Sequence, residues 1–279
     1  MKKIAIITDS ACDLPDRVIK KYNIKLLPLR IIYKDREYRD RLEIQPQEVY
    51  DNIQQEVPTT SLPTAEDILG VFDLLVEEGY TEAIVITLSS SLSGTFNMVK
   101  MLANDYDKLK IRVYDSKTLG MFLGFIVKEA AIYAGNHSME EIIQRARVIR
   151  SKLKGGYVLK TLTYLRKGGR IGKVEGTVGE LLNLKPIIGI NDNGAYYTIT
   201  KTRGWKKAVT KLRKMISDEF KDKKYHIAVI HGGAEEEANA LMDSIQNIGQ
   251  IAEGYVAQIS PALGVHTGPG LIGYAAYEI

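Results

Sequence analysis

Two stretches of small hydroxylated residues are the parts of this sequence best suited to holding an anion, Ser89-Ser90-Ser91-Leu92-Ser93-Gly94-Thr95 and Pro58-Thr59-Thr60-Ser61-Leu62-Pro63-Thr64. Thr8-Asp9-Ser10 and Asp115-Ser116 are two further small polar clusters expected at strand ends. In the first, serines stand just before an amphipathic stretch, Gly94–Asn104, so hydroxyls and the free N–H groups of a helix start converge. Ordinary capping of that helix by Ser93 explains the same residues. In the second, hydroxyls between prolines form a stiff extended loop that presents donors, or else a plain connector ending in a Thr64 cap. Asp9 and Asp115 offer carboxylates to a metal, or to a crevice enzyme (a hydrolase or phosphoryl-transfer protein) working with Ser93. No third ligand with recognisable spacing accompanies them, and turn carboxylates bonded to nearby backbone account for both. The sequence holds no phosphate-loop lysine motif and no Gly-x-Ser-x-Gly elbow, and Gly264, Gly268 and Gly270 around His266 do not follow a strand as a dinucleotide fingerprint requires.

These loops need a frame. Apolar runs alternate with amphipathic ones: Ile4–Ile7 then Asp16–Tyr22, Ala83–Leu88 then Gly94–Asn104, Ile111–Tyr114 then Leu119–Gly135. That rhythm predicts βαβ units around a parallel sheet, with the polar clusters at strand carboxyl ends, where ligands collect. Thr64 caps a helix over Ala65–Glu78 that stops at Gly79, and Ser138 with Glu141 forms a capping box for Met139–Leu153. After Gly155-Gly156 the pattern changes. A glycine-rich basic turn, Arg166–Arg170, precedes a hairpin of Ile187–Ile190 and Ala195–Thr200 about Asn191-Asp192-Asn193-Gly194. Strands Ile227–His231 and Tyr255–Ile259 then flank a helical stretch, Glu235–Ile248. The chain reads as an N-terminal parallel-sheet α/β domain, residues 1–152, followed by a C-terminal α+β domain, residues 153–279.

Composition narrows the classes further. With 45% hydrophobic and 26% charged residues, the 279-residue chain falls among soluble globular proteins. A net charge of +4 is too small to suggest nucleic-acid binding, which needs a concentrated basic stripe. A single cysteine, Cys12, excludes an intramolecular disulfide and a Cys-based metal site, and points to a reducing cytoplasm. No apolar run approaches the ~18–20 residues of a membrane span, so no stable membrane insertion is expected. Met1-Lys2-Lys3 leads directly into Ile4–Ile7, too short an apolar stretch for a signal peptide.

Six motifs in order then resemble the DegV family, whose better-understood members are the fatty-acid-binding subunits of bacterial fatty acid kinase. They stand here as Thr8-Asp9-Ser10-Ala11-Cys12-Asp13-Leu14-Pro15, Thr60-Ser61-Leu62-Pro63-Thr64, Leu88-Ser89-Ser90-Ser91-Leu92-Ser93-Gly94-Thr95-Phe96, Asp115-Ser116, Tyr164-Leu165-Arg166-Lys167-Gly168-Gly169-Arg170-Ile171 and Gly264-Val265-His266-Thr267-Gly268-Pro269-Gly270. The resemblance spans essentially the whole chain. It implies a palmitate- or oleate-like fatty acid with its tail buried and its carboxylate at the domain boundary. It also implies that Thr60 and Ser93 grip the carboxylate, with Ser61 and His266 beside it and Arg203 as a further basic position. Arg170, with Arg166 and Lys167, would dock an ATP-dependent kinase that makes the acyl phosphate, leaving this chain no catalytic residue and no cofactor. Leu62 departs from the pattern, standing where many members carry glutamine.

Overall fold

Runs of Ile, Val and Ala in the first half build strands that are buried on both faces. The computed structural model describes residues 4–172, 174 and 183–279, and the Met1-Lys2-Lys3 lead lies outside them. In chain order the first half runs β1 (Ile4–Asp9), α1 (Asp16–Lys21), β2 (Lys25–Leu27), β3 (Arg30–Ile32), β4 (Glu37–Arg39), α2 (Pro46–Asn52), β5 (Thr59–Ser61), α3 (Ala65–Glu77), β6 (Glu82–Thr87), α4 (Thr95–Asn104), β7 (Lys110–Asp115), α5 (Gly120–Tyr133) and α6 (Met139–Lys152). The second half runs β8 (Lys154–Val158), α7 (Thr163–Lys167), β9 (Leu184–Ile190), β10 (Tyr196–Arg203), α8 (Trp205–Phe220), β11 (Lys224–Gly232), α9 (Glu235–Ser244), β12 (Gln250–Gln258), α10 (Pro261–Thr267) and β13 (Leu271–Glu278).

Among the described residues, β2-β1-β6-β7 form an all-parallel sheet, and β1 and β6 are buried along their whole length, as inner strands covered by helices must be. A second, mixed sheet has the order β10-β9-β8-β13-β11-β12, and a small antiparallel sheet has the order β4-β3-β5. The expected mixed α/β fold is present, with the parallel sheet drawn from residues before 153 and the mixed sheet from residues after it. The basic segment expected as a turn is instead helical from Thr163 to Lys167, and Gly168 closes it.

Helix α5 joins the two large sheets. Its sequence is apolar on every side, so it must be covered all round. Met121 through Ala130 are buried, with Ile84 and Ile86 of the parallel sheet and Tyr157 and Tyr277 of the mixed sheet in the same apolar cluster. Phe125 packs edge-on against Tyr277 with ring centroids 5.2 Å apart, and Phe122 against Tyr157 at 5.6 Å. At Gly124 a Cβ would lie 2.5 Å from the Cys12 carbonyl oxygen, so only glycine allows the helix this close to the turn after β1. The two charges on α5, Lys128 and Glu129, are buried and paired with Glu253 and Arg145 respectively, as buried charges must be.

Three further carboxylates are buried where the loops of the first half meet α10. Asp9 Oδ2 accepts from the Leu88 N–H at 2.6 Å and ties the ends of β1 and β6 together. Asp13 Oδ1 accepts from the Ser260 N–H at 2.8 Å. Asp40 accepts from the Ala262 N–H at 3.0 Å through Oδ1 and from the Ser10 hydroxyl at 2.5 Å through Oδ2. Burial outweighs these donors and pushes Asp40 up to about 6 and Asp9 up to about 7. Both values lie above that of an unfolded carboxylate, so the folded chain holds extra protons in the interval and loses this stabilisation as pH rises from about 4 to 7. The variant Asp40→Asn keeps an acceptor for Ala262 but cannot ionise. Its stability relative to the parent should therefore rise by about 1–3 kcal/mol between pH 4.5 and 7.5, as read by urea denaturation at the two pH values. A difference independent of pH would show that Asp40 does not titrate in this window.

Candidate anion site and apolar cavity

Strand β5 places Thr60 opposite Ile31 of β3, and the alternation of a strand turns its side chain inward while Thr59 and Ser61 are exposed. Thr60 Oγ1 lies 2.7 Å from Nε2 of His266, 206 residues away in sequence. His266 sits in the last turn of α10, which Ser260 caps by accepting from the Leu263 N–H at 3.3 Å, with Pro261 at the first helical position. Gly168 makes room for the ring, because a Cβ there would lie 2.1 Å from His266 Nδ1. Burial first, and the Arg170 charge second, push the imidazole pKa down to about 4, so the ring is neutral near pH 7.

Gly94, not Ser93, is the N-cap of α4. Ser93 Oγ lies 2.9 Å from Thr95 Oγ1 and accepts from the Thr95 N–H at 3.3 Å in a tight turn just before the helix, and it lines the cleft. Arg170 is held by two carbonyls, donating from Nη1 to Gly168 at 2.5 Å and from Nε to Leu92 at 3.4 Å. Thr60, Ser61, Ser93, Arg170 and His266 thus share one cleft, whose apolar wall includes Leu62, Leu92, Leu119, Tyr196 and Leu263. A second cavity shares Leu119, Tyr196 and Leu263 with the first and is lined further by Leu159, Leu165, Ile188, Ile259 and Leu271. A donor-rich cleft and an apolar cavity therefore lie side by side, with the three shared side chains in both walls. The tip of the β9–β10 hairpin closes over the serine loop, where the Ser91 hydroxyl donates to the Asn193 carbonyl at 2.6 Å.

The structure does not bring Arg203 to this cleft. It lies exposed at the far end of β10, paired with Leu184, and the run from Tyr196 at the cleft is roughly 20 Å at ~3.3 Å per residue. Arg170 is half-buried in the cleft wall, while Arg166 and Lys167 are exposed on the last turn of α7. Asp9 is engaged by the backbone of Ala11 and Leu88. Asp115 accepts from Ser90 through both its N–H and its hydroxyl, and from the Lys117 N–H. Both carboxylates are therefore turn organisers, and among the described residues no His, Cys, Asp and Glu grouping could hold a metal. Sequence reasoning missed Tyr196, Leu119 and Leu263, because nothing in an isolated apolar residue marks the wall it will face. Arg170 was assigned to partner docking by the resemblance alone, and nothing local in Gly168-Gly169-Arg170 shows that its side chain also lines the cleft.

The family model described as DegV matches residues 3–278. A DegV domain-containing protein of Clostridium perfringens is 50% identical over 274 residues, 98% of each chain. Among solved structures, a DegV family protein from Thermus thermophilus described by its fatty acid binding superposes with a TM-score of 0.91 at 27% identity, covering 99% of this chain and all of its own. A stearic-acid-binding protein from Eubacterium ventriosum superposes with a TM-score of 0.84 at 26% identity, covering 100% of this chain and 98% of its own.

The glycine beside the imidazole provides a test of the cleft. Gly168→Ala, at a backbone conformation any residue adopts, should drive a methyl into His266 and destabilise the chain by about 1–3 kcal/mol in chemical denaturation, with a shifted His266 imidazole resonance. Gly169→Ala meets nothing within 4 Å but sits at φ +69°, so it should cost about 1 kcal/mol and leave the His266 resonance in place. Equal resonance shifts in the two variants would mean that the ring does not pack on Gly168.

Proposed function

The chain belongs to the DegV family, and on that premise we propose that it binds one long-chain fatty acid, with its tail in the apolar cavity and its carboxylate against Thr60, Ser93, His266 and Arg170. The observation that carries this reading is the adjacency of the donor-rich cleft and the apolar cavity, which share Leu119, Tyr196 and Leu263 in their walls. Solved relatives described as binding fatty acid, stearic acid among them, support the same class of ligand.

A carboxylate in such a cleft gives up part of its hydration and needs charge-assisted donors in return. Arg170 supplies the positive charge, since the imidazole of His266 is neutral. For Thr60 to donate to the carboxylate, its oxygen must accept from His266, which sets the proton on Nε2. Nδ1, left as an acceptor, has no hydrogen-bond partner among the described residues, in keeping with that tautomer. The tail provides the larger share of the binding. Burying about 16 carbons at ~0.8 kcal/mol per CH₂ gives a gross gain on the order of 12 kcal/mol before ordering costs.

Protein purified from a bacterial host should carry about one equivalent of fatty acid, detected by native mass spectrometry and by organic extraction with gas chromatography. Thr60→Ala and Ser93→Ala should each weaken retention by about 1.5–3 kcal/mol, less than additively because both hydroxyls serve one group. Arg170→Ala should weaken it as well. A folded sample that neither contains an acyl chain nor takes up palmitate or oleate would sink this reading.

The bound carboxylate at an open mouth also suits hand-over in the cytoplasm to an ATP-dependent kinase that converts it to an acyl phosphate. Arg166 and Lys167, on the turn of α7 beside the mouth, supply the docking charges in this reading. Replacing both by alanine should leave fatty-acid content near that of the parent while acyl-phosphate formation with the partner falls about tenfold or more. Added salt should weaken the parent complex more than the variant complex. Normal turnover by the double variant would remove these residues from the docking surface.

A further inference from the structure

Two buried polar atoms in the wall of the apolar cavity have no hydrogen-bond partner among the described residues. Asp13 uses Oδ1 to accept from Ser260, but its Oδ2 is unpaired, and so is the hydroxyl of Tyr157. The two residues are 4% and 6% exposed, and both line the cavity. They converge over the bare face of Gly120, where a Cβ would lie 3.2 Å from Asp13 Oδ2 and 3.4 Å from the Tyr157 oxygen. Gly120, at φ +60°, begins α5 directly after Leu119, one of the three residues shared with the anion cleft. The polar pair therefore stands in the tail chamber, separate from the head-group donors.

An apolar tail alone would leave both atoms stranded. Buried polar groups in folded proteins nearly always find a partner, because an unpaired one keeps its full desolvation penalty. We propose that Asp13 and Tyr157 form a hydrogen-bonding station for a hydroxyl carried part-way along the acyl chain, so that the cavity favours monohydroxylated long-chain fatty acids over plain ones. The inference rests on the fatty-acid reading of the site and narrows its ligand class. A secondary alcohol matches the pair because it donates one hydrogen bond and accepts another, to Asp13 Oδ2 and from the Tyr157 hydroxyl. Burial pushes the Tyr157 hydroxyl well above its ordinary value, so it keeps its proton and is available as the donor of the pair.

Displacement of a fluorescent fatty acid by stearate and by monohydroxystearates that differ in hydroxyl position tests the proposal. One isomer, or two adjacent ones, should bind about tenfold tighter than stearate, since a site built to bond a hydroxyl discriminates against the analogue that lacks it. In Tyr157→Phe the ratio of that isomer's affinity to that of stearate should fall towards one, whatever happens to the affinity for stearate itself. Asp13→Asn, which retains an acceptor for Ser260, serves as the second variant if Tyr157→Phe fails to fold. A parent protein that prefers no isomer, as when an ordered water fills the station, overturns the proposal. So does a folded variant that keeps the preference. Failure to bind stearate at all is a different result and would strike the fatty-acid reading itself.

Discussion

The N–H groups of Ser260 and Ala262 end in carboxylates that belong to the opposite half of the chain, Asp13 and Asp40. This clamp at the start of α10 sets where that helix lies, and α10 carries both Leu263 of the cavity wall and His266 of the cleft. The helix is too short to be stable alone, since a single turn or two costs more to nucleate than it returns. Its position therefore depends on buried partners that satisfy its first donors. Ser10 extends the same clamp, accepting from the Leu29 N–H at 3.0 Å while donating to Asp40, and so fixes the entry to the small sheet that presents Thr60.

Much of the frame was legible because period and caps agree. The inner parallel strands, the hairpin about Asn191–Gly194, the Thr64 cap and the Ser138–Glu141 capping box follow from local chemistry that tertiary structure did not override. Strands β2, β3 and β4 span only three residues each, too few to show alternation, and they exist because neighbouring strands complete their ladders. Helix α8 was missed although Ala208, Leu212, Ile216 and Phe220 recur at every fourth position and are all buried, a helical stripe lying in plain sight among lysines. Of the site, the hydroxyls and His266 were marked by residue type and motif. The apolar wall, the position of Arg170 in the cleft lining and the position of Arg203 away from it were not, because each depends on which strand face meets which loop.

Polar and apolar parts of the site act through different physics. On the proposed reading, burial of a tail is non-directional and scales with area, so it fixes little about the ligand's orientation. Direction would come from the hydrogen-bonding groups of the cleft, Thr60 and Ser93 from the first half and His266 and Arg170 from the second. Leu62 fits this division. It packs against the open side of Gly94, at 3.5 Å from the position of a Cβ, and extends the apolar lining to the edge of the mouth.

Strand β13 follows every other described strand in sequence, yet it lies inside the mixed sheet, between β8 and β11, and pairs with both. During synthesis β8 and β11 emerge with a strand-wide gap between them, and no earlier segment of the chain fills it. The ribosome must deliver residues 271–278 before the sheet can zip, and the cavity wall closes in that same step because Leu271 belongs to both. A chain that stops before residue 271 thus leaves the facing edges of β8 and β11 unpaired, and unpaired strand edges are templates for aggregation. Pairing of β13 and closure of the cavity wall at Leu271 are therefore a single event, the last among the described strands.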